Sequence, residues 1–309
     1  MSLQNDGRPS ITSSHPVVLE IGIVTALLVG VYLWRELVSQ VLTTVFGRPP
    51  SVGGVFVSGL VNGGVLLFGL IGFTVAYSRF REIDLGLRLP SRKVVPLVGL
   101  AVLTPIICVA LTKLVGVVTG VPYNALTKTS IAADASVLPI LLIAGLGLII
   151  GVPMLVVICQ VLIQASFEQV VSADTAIVLT TAVAGFVMVS NTGGLATVPE
   201  LGKLIGAIAF TLSLGVAVYA NERLENDWLP YLGFAPVVFV TAIIVFAGIA
   251  EVGTVAGGLF AVTQLAVLGI AAYTYDRTAS LLAPALAYAA LLLANRIVVF
   301  VFEAGMQSW

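Results

Sequence analysis

Residues 137 to 167, "VLPILLIAGLGLIIGVPMLVVICQVLIQASF", run on without one charged side chain. A helix needs about 20 mostly apolar residues to cross the hydrocarbon core of a bilayer, and in lipid the backbone must pair internally, as a helix or a closed barrel. A barrel strand would alternate apolar and polar residues over about ten positions, and this run does not alternate. It is therefore predicted to be a membrane-spanning helix. The rest of the chain agrees: of 309 residues, 59% are apolar and 9% charged, against about 25% charged in an ordinary soluble domain. Mean hydropathy is +1.12.

The same count places spans at 17 to 36, 54 to 78, 94 to 118, 137 to 165, 175 to 198, 201 to 220, 230 to 250, 254 to 275 and 280 to 303. The expected fold is an all-α polytopic bundle of eight or nine spans, with a polar tail over 1 to 16 and one transmembrane domain over 17 to 309. "SNTGGLATVP" (190 to 199) puts Gly, Asn, Thr and Pro near the end of the fifth span, and such clusters mark turns, so that helix is expected to stop early or break. The basic loop "RFREIDLGLRLPSRK" (79 to 93) carries Arg79, Arg81, Arg88, Arg92 and Lys93. The positive-inside rule makes it cytoplasmic, in a multi-pass protein of the cell membrane whose C-terminus lies outside if the spans number nine.

Composition also excludes. A net charge of −1 leaves no basic surface to hold nucleic acid. Cys108 and Cys159 lie inside apolar runs and read as small packed side chains, with no disulfide or metal spacing. "LGVAVYANERLENDWLPYLGF" (214 to 234) and "LGIAAYTYDRTASLLAPALAY" (268 to 288) align without a gap, as a duplicated helix pair or by chance within a narrow alphabet.

The run "GVPMLVVICQVLIQASFEQVVSADTAIVLTTAVAGFVMVSN" (151 to 191), with "DLGLRLPSR" before the third span and "YDRTASLLAPALAYAALLLAN" (275 to 295), resembles the CPBP family, the CAAX-protease and bacteriocin-processing intramembrane metalloproteases, over about residues 79 to 295. The resemblance implies a Glu-Glu-x-x-x-Arg motif on a Pro-containing helix, a Phe-x-x-x-His motif on the next and a later His-x-x-x-Asn motif, holding a divalent metal such as zinc. Paired carboxylates and imidazoles would place a metal or a water as general base.

With Pro153 and Gln164 as anchors, the Glu pair falls on Leu155 and Val156 and the Arg on Gln160. Phe186 keeps the second motif's Phe, but Ser190, followed by Asn191, stands where its His belongs. The third motif falls on Tyr288 and Leu292, or in a competing frame on Phe234 and Val238. A check free of any frame agrees: the chain's one histidine is His15, in the polar tail. Glu20, Glu251 and Glu303 fall at predicted helix ends, and Glu168 and Asp174 in the connection after the fourth span, so no two carboxylates are expected on one intramembrane helix face.

The reading that follows is a degenerate member of that family, a pseudoprotease with no metal ligands. It would hold a hydrophobic or lipidated, membrane-embedded peptide or protein in a residual cavity lined by Gln160, Gln164, Ser190, Asn191 and Tyr288. Gln160 and Gln164, four apart, are expected to share one helix face and one neighbour, as structural hydrogen-bonding groups or as cavity lining. Two alternatives stay open: an active endopeptidase with an atypical site built on Ser190, Gln160 and Tyr288, and a small membrane transporter. "YDRT" (275 to 278) reads as a turn with Arg277 at the headgroups, and Arg296 as a side chain that snorkels to the interface.

Overall fold

The computed structural model describes residues 15–47, 52–132, 136–190, 193–223 and 229–305. Among them the chain is helical, with no strand beyond two isolated bridges, Leu87 with Ser280 and Val189 with Leu195. The helices are α1 (Pro16–Phe46), α2 (Val52–Arg81), α3 (Val95–Thr119), the short α4 (Tyr123–Thr127), α5 (Val137–Phe167), α6 (Ala173–Met188), α7 (Leu201–Arg223), α8 (Leu229–Val252), α9 (Val255–Thr278) and α10 (Leu282–Phe302). Seven are long and apolar enough to cross a membrane: α1, α2, α3, α5, α7, α9 and α10. The polar tail falls almost wholly outside the described residues.

Two expected boundaries are corrected. The first helix continues past residue 36 to Phe46; Arg35 and Glu36, which pair with each other at 3.4 Å, lie within it and do not end it. It stops at Gly47, whose φ of +68° breaks the helical path. The fifth span stops early, as the Gly, Asn, Thr and Pro cluster led one to expect: it ends at Met188, where Val189 turns to extended backbone, and Ser190 N–H donates to Gly194 O at 2.8 Å. "YDRT" is likewise the last turn of α9 and not a loop. The chain reverses one residue later, at Ala279, with φ +46°.

α5 and α9 are the most enclosed of these helices. Ile158, Cys159, Leu162, Ile163 and Phe167 of α5 are fully buried, with Val267, Leu268 and Ala271 of α9. α3 packs on both α9 and α10, and α8 mainly on α7. The outward face is apolar: Phe68, Leu212, Phe239, Phe246 and Ile249 are exposed, a surface that suits hydrocarbon and not water. Cys108 lies partly exposed on α3, whereas Cys159 is buried.

Ion pairs close both ends of the bundle. At the end with the basic loop, Arg81 Nη2 donates to both oxygens of Glu20, each at 2.8 Å, and Leu281 N–H donates to Gly86 O at 3.0 Å. At the opposite end the carboxylate of Glu303 accepts from Lys113, from Tyr123 N–H at 2.7 Å and from Asn124 N–H. Glu20 and Glu303, expected at helix ends, are thus buried and paired. The side chain of Glu251 lies outside the described residues.

Candidate functional site

The site begins with a defect in α5. Pro153 has no N–H to give to Ile149 O, and the helix widens just before it: Val152 N–H reaches back five residues to Gly147 O. A second wide segment follows over Val157–Gln164, where Ala165 N–H bonds Gln160 O. Such π-helical insertions occur mostly as single turns, often at functional sites; here they place Gly147 and Gly151 against other elements. A Cβ on Gly147 would meet Leu292 Cδ1 at 2.6 Å, so α10 approaches the backbone of α5 there.

Between these helices lies a cavity of about 180 Å³. α5 contributes Leu155 and α10 contributes Tyr288, Leu291 and Leu292, while Thr127 and Thr129 follow from α4 and Gly193 to Leu195 from the turn after α6. Gly193 has φ +91°, and a Cβ on it would meet Leu126 O at 2.6 Å, so only glycine suits this position.

Of the sequence-predicted residues, Leu155, Tyr288 and Leu292 line this cavity. Gln160 is fully buried and its Nε2 donates to Tyr288 Oη at 3.1 Å. Val156 is packed in the core, and Phe186 faces α7 beside Gly206. Ser190 does not line the cavity; its hydroxyl donates to the carboxylate of Glu200 at 2.5 Å. Asn191 lies outside the described residues. In the competing frame, Phe234 and Val238 are exposed on α8, far from forming an enclosed site.

Gln164 does not share its neighbour with Gln160, contrary to expectation. Its Nε2 donates to Ala272 O of α9 at 3.0 Å and to Glu168 Oε1 at 2.8 Å, because α5 runs between α9 and α10 and each glutamine meets a different one. Glu168 is held by this bond and partly buried, and burial pushes its carboxyl above the ordinary carboxylate range; the Gln164 bond opposes that shift and the nearby Asp276 adds to it.

Lys113, Tyr123, Asn295 and Gln264 were missed in the sequence, and the partner of Glu303 with them. Lys113 lies inside the third apolar run and Glu303 ends the last one; each alone was a signal, since a charge in an apolar run demands a partner. Burial first, and then the Glu303 carboxylate, push the Tyr123 phenol up, so it stays a neutral donor, and it donates to Asn295 Oδ1 at 2.6 Å. Gln264 is fully buried, and neither of its amide atoms has a partner among the described residues. Arg277 stacks over the Tyr273 ring at 5.4 Å and pairs with Asp276 at 3.5 Å. Arg296 lines the cavity.

The donor set does not fit the metal that the family resemblance implies. Leu155 and Val156 carry no donor atom, and among the described residues no three His, Cys, Asp or Glu side chains stand together to hold a metal ion. The fold defines a helical, multi-pass membrane protein with a half-open cavity between α5 and α10. No family model, no curated protein and no solved structure matches the chain.

Proposed function

We propose that the chain is a degenerate homologue of the CPBP intramembrane proteases that binds and does not cut, holding a hydrophobic or lipidated peptide partner in the cavity between α5 and α10. One observation carries this reading. Leu155 and Leu292, set more than a hundred residues apart in the chain by the alignment to that family's motifs, line one cavity with Tyr288, and Gln160 reaches Tyr288. Three of the motif positions, Leu155, Tyr288 and Leu292, meet at the cavity, while Val156 packs in the core and Ser190 lies outside it, and the side chains at all of them are apolar or neutral. Leu, Val and Gln remove charges that cost about 2.5 to 3.5 kcal/mol each at a helix centre, a change that fits a site with no chemistry left to perform. The reading includes eight or nine spans in the cell membrane and a cytoplasmic 79–93 loop.

A second reading draws on Ser190. Its hydroxyl donates to the Glu200 carboxylate, a candidate base that the sequence did not suggest, and this favours an atypical serine endopeptidase. Labelling of Ser190 by a fluorophosphonate, abolished in Glu200→Gln, would support it.

The test of the leading reading is metal content. The protein purified in mild detergent is expected to carry far less than one transition metal per chain, with an active family member run alongside. Stoichiometric zinc, lost on replacing Gln160 and Ser190 by Ala, would refute it.

A further inference from the structure

We propose that the cavity takes a single-chain lipid with an anionic end, its carboxylate or phosphate oxygens held by Arg296 and Asn295 and its chain lying toward Leu155 and Leu292. The lining has two unlike parts. Along α10, Asn295 and Arg296 line the cavity one turn after Leu291 and Leu292, and Leu155 faces it from α5. Arg296 carries the only full charge in the lining, and among the described residues no carboxylate pairs with it.

Asn295 is oriented for the same task. Tyr123 donates to its Oδ1, which turns the amide's two N–H groups away from that bond, and those N–H groups have no acceptor among the described residues. An amide has two donors and one acceptor oxygen, so fixing the oxygen leaves a donor-only pole beside a guanidinium. The pole is itself built: Glu303 anchors Tyr123 and Asn124 through their backbone N–H groups. A buried or half-buried cation in a membrane protein faces a partner or a functional cavity, and a guanidinium with adjacent N–H donors matches a two-oxygen anion.

The apolar side of the lining, Leu155, Leu291 and Leu292, suits hydrocarbon, whether of a free lipid or of a lipidated peptide. At about 180 Å³, little more than the space a benzene fills, the cavity takes the anionic end and the first few methylenes of one chain, and the rest of a long chain lies outside it.

This inference rests on the cavity being a binding site, though not on the family resemblance. The full chain in a neutral detergent is titrated with radiolabelled oleate, with its uncharged ester methyl oleate and with lysophosphatidate, at a pH where oleate is ionised. The charged probes are expected to bind at least about tenfold more tightly than the ester, the scale of one charge-assisted contact. Arg296→Gln is expected to bring that ratio close to one while leaving the affinity for methyl oleate unchanged, which shows that the variant is folded and its cavity intact. Tighter binding of oleate assigns a fatty acid, and tighter binding of lysophosphatidate a phospholipid; either supports the inference. Equal binding of oleate and methyl oleate, or a ratio that survives Arg296→Gln, would overturn the anionic pole. Failure of all three probes would overturn the cavity as a lipid site. A hydrophobic peptide with a free C-terminal carboxylate that binds where the lipids fail would replace the lipid with a peptide and leave the proposed function standing.

Discussion

Replacing Glu303 by Gln probes how the cavity end is held. Glu303 is 1% exposed, and its two oxygens take two backbone N–H groups of α4 and the Lys113 ammonium. Glutamine keeps one acceptor oxygen and sets an NH2 group against the remaining donors, and the Lys113 charge loses its partner. Removing one member of a buried ion pair costs about 3 to 5 kcal/mol. Lys113 is 20% exposed and regains some solvent, so the expected loss lies at or below the lower end, about 2 to 3 kcal/mol. Lys113→Met leaves the buried carboxylate its two N–H donors but no counter-charge and is expected to cost about 3 kcal/mol. The double variant should then be more stable than the sum of the two single losses implies, by about 1 to 2 kcal/mol of coupling. Reversible unfolding in mixed micelles, read by helical circular dichroism, measures all four proteins. A loss below about 0.5 kcal/mol for Glu303→Gln, within the range of an ordinary surface change, would refute this account of the clamp.

Three further outcomes are expected. Because burial raises the Glu168 carboxyl, its contribution to stability is complete below the ordinary carboxylate value and is lost as pH rises through the raised folded value; Glu168→Gln should therefore flatten the pH dependence of unfolding across that window, and an unchanged profile would contradict it. Tyr288→Phe strands the buried Gln160 amide and should cost about 1 kcal/mol more than the double variant Tyr288→Phe with Gln160→Leu, since an unpaired buried polar group is worse than an apolar pair; additivity of the two changes would contradict the pairing. Gly193→Ala forces a side chain onto Leu126 O at an unfavourable φ and should lower the melting temperature and weaken ligand binding together, whereas Gly72→Ala, with open space around it, should do neither.

The fold was legible wherever one physical constraint acted on a long stretch. Uncharged runs such as 137 to 167 leave the chain no choice but helix in lipid, and each of the nine expected spans holds a helix. Boundaries set by a single turn were less so: Arg35 and Glu36 look like an end and are a local ion pair, and "SNTGG" hinted at a stop without saying where. The widened winding of α5 could not be read at all, because the same residues form an ordinary helix unless Pro153 and the neighbouring packing favour the wider turn. For the site, it was the resemblance to the CPBP motifs that pointed to Leu155 and Gln160. Pairs such as Lys113 with Glu303, or Tyr123 with Asn295, join residues far apart in the chain, and nothing in one sequence says which distant charge or amide a given side chain will meet. Ser190 with Glu200 lies across a turn whose shape depends on Gly193 and Gly194, and that geometry is invisible before folding.

The measurement that bears most directly on the account is binding of a fluorescent lipidated peptide to the full chain in nanodiscs, compared between the native protein and Leu292→Trp. Leu292 lines the cavity where α10 meets Gly147, and an indole there fills it. The account predicts saturable binding without cleavage of the peptide, weakened at least about tenfold, or 1.4 kcal/mol, by Leu292→Trp and unaffected by Trp at the outward-facing Leu293. Binding that ignores Leu292→Trp, or release of a peptide fragment by the native protein, would contradict it.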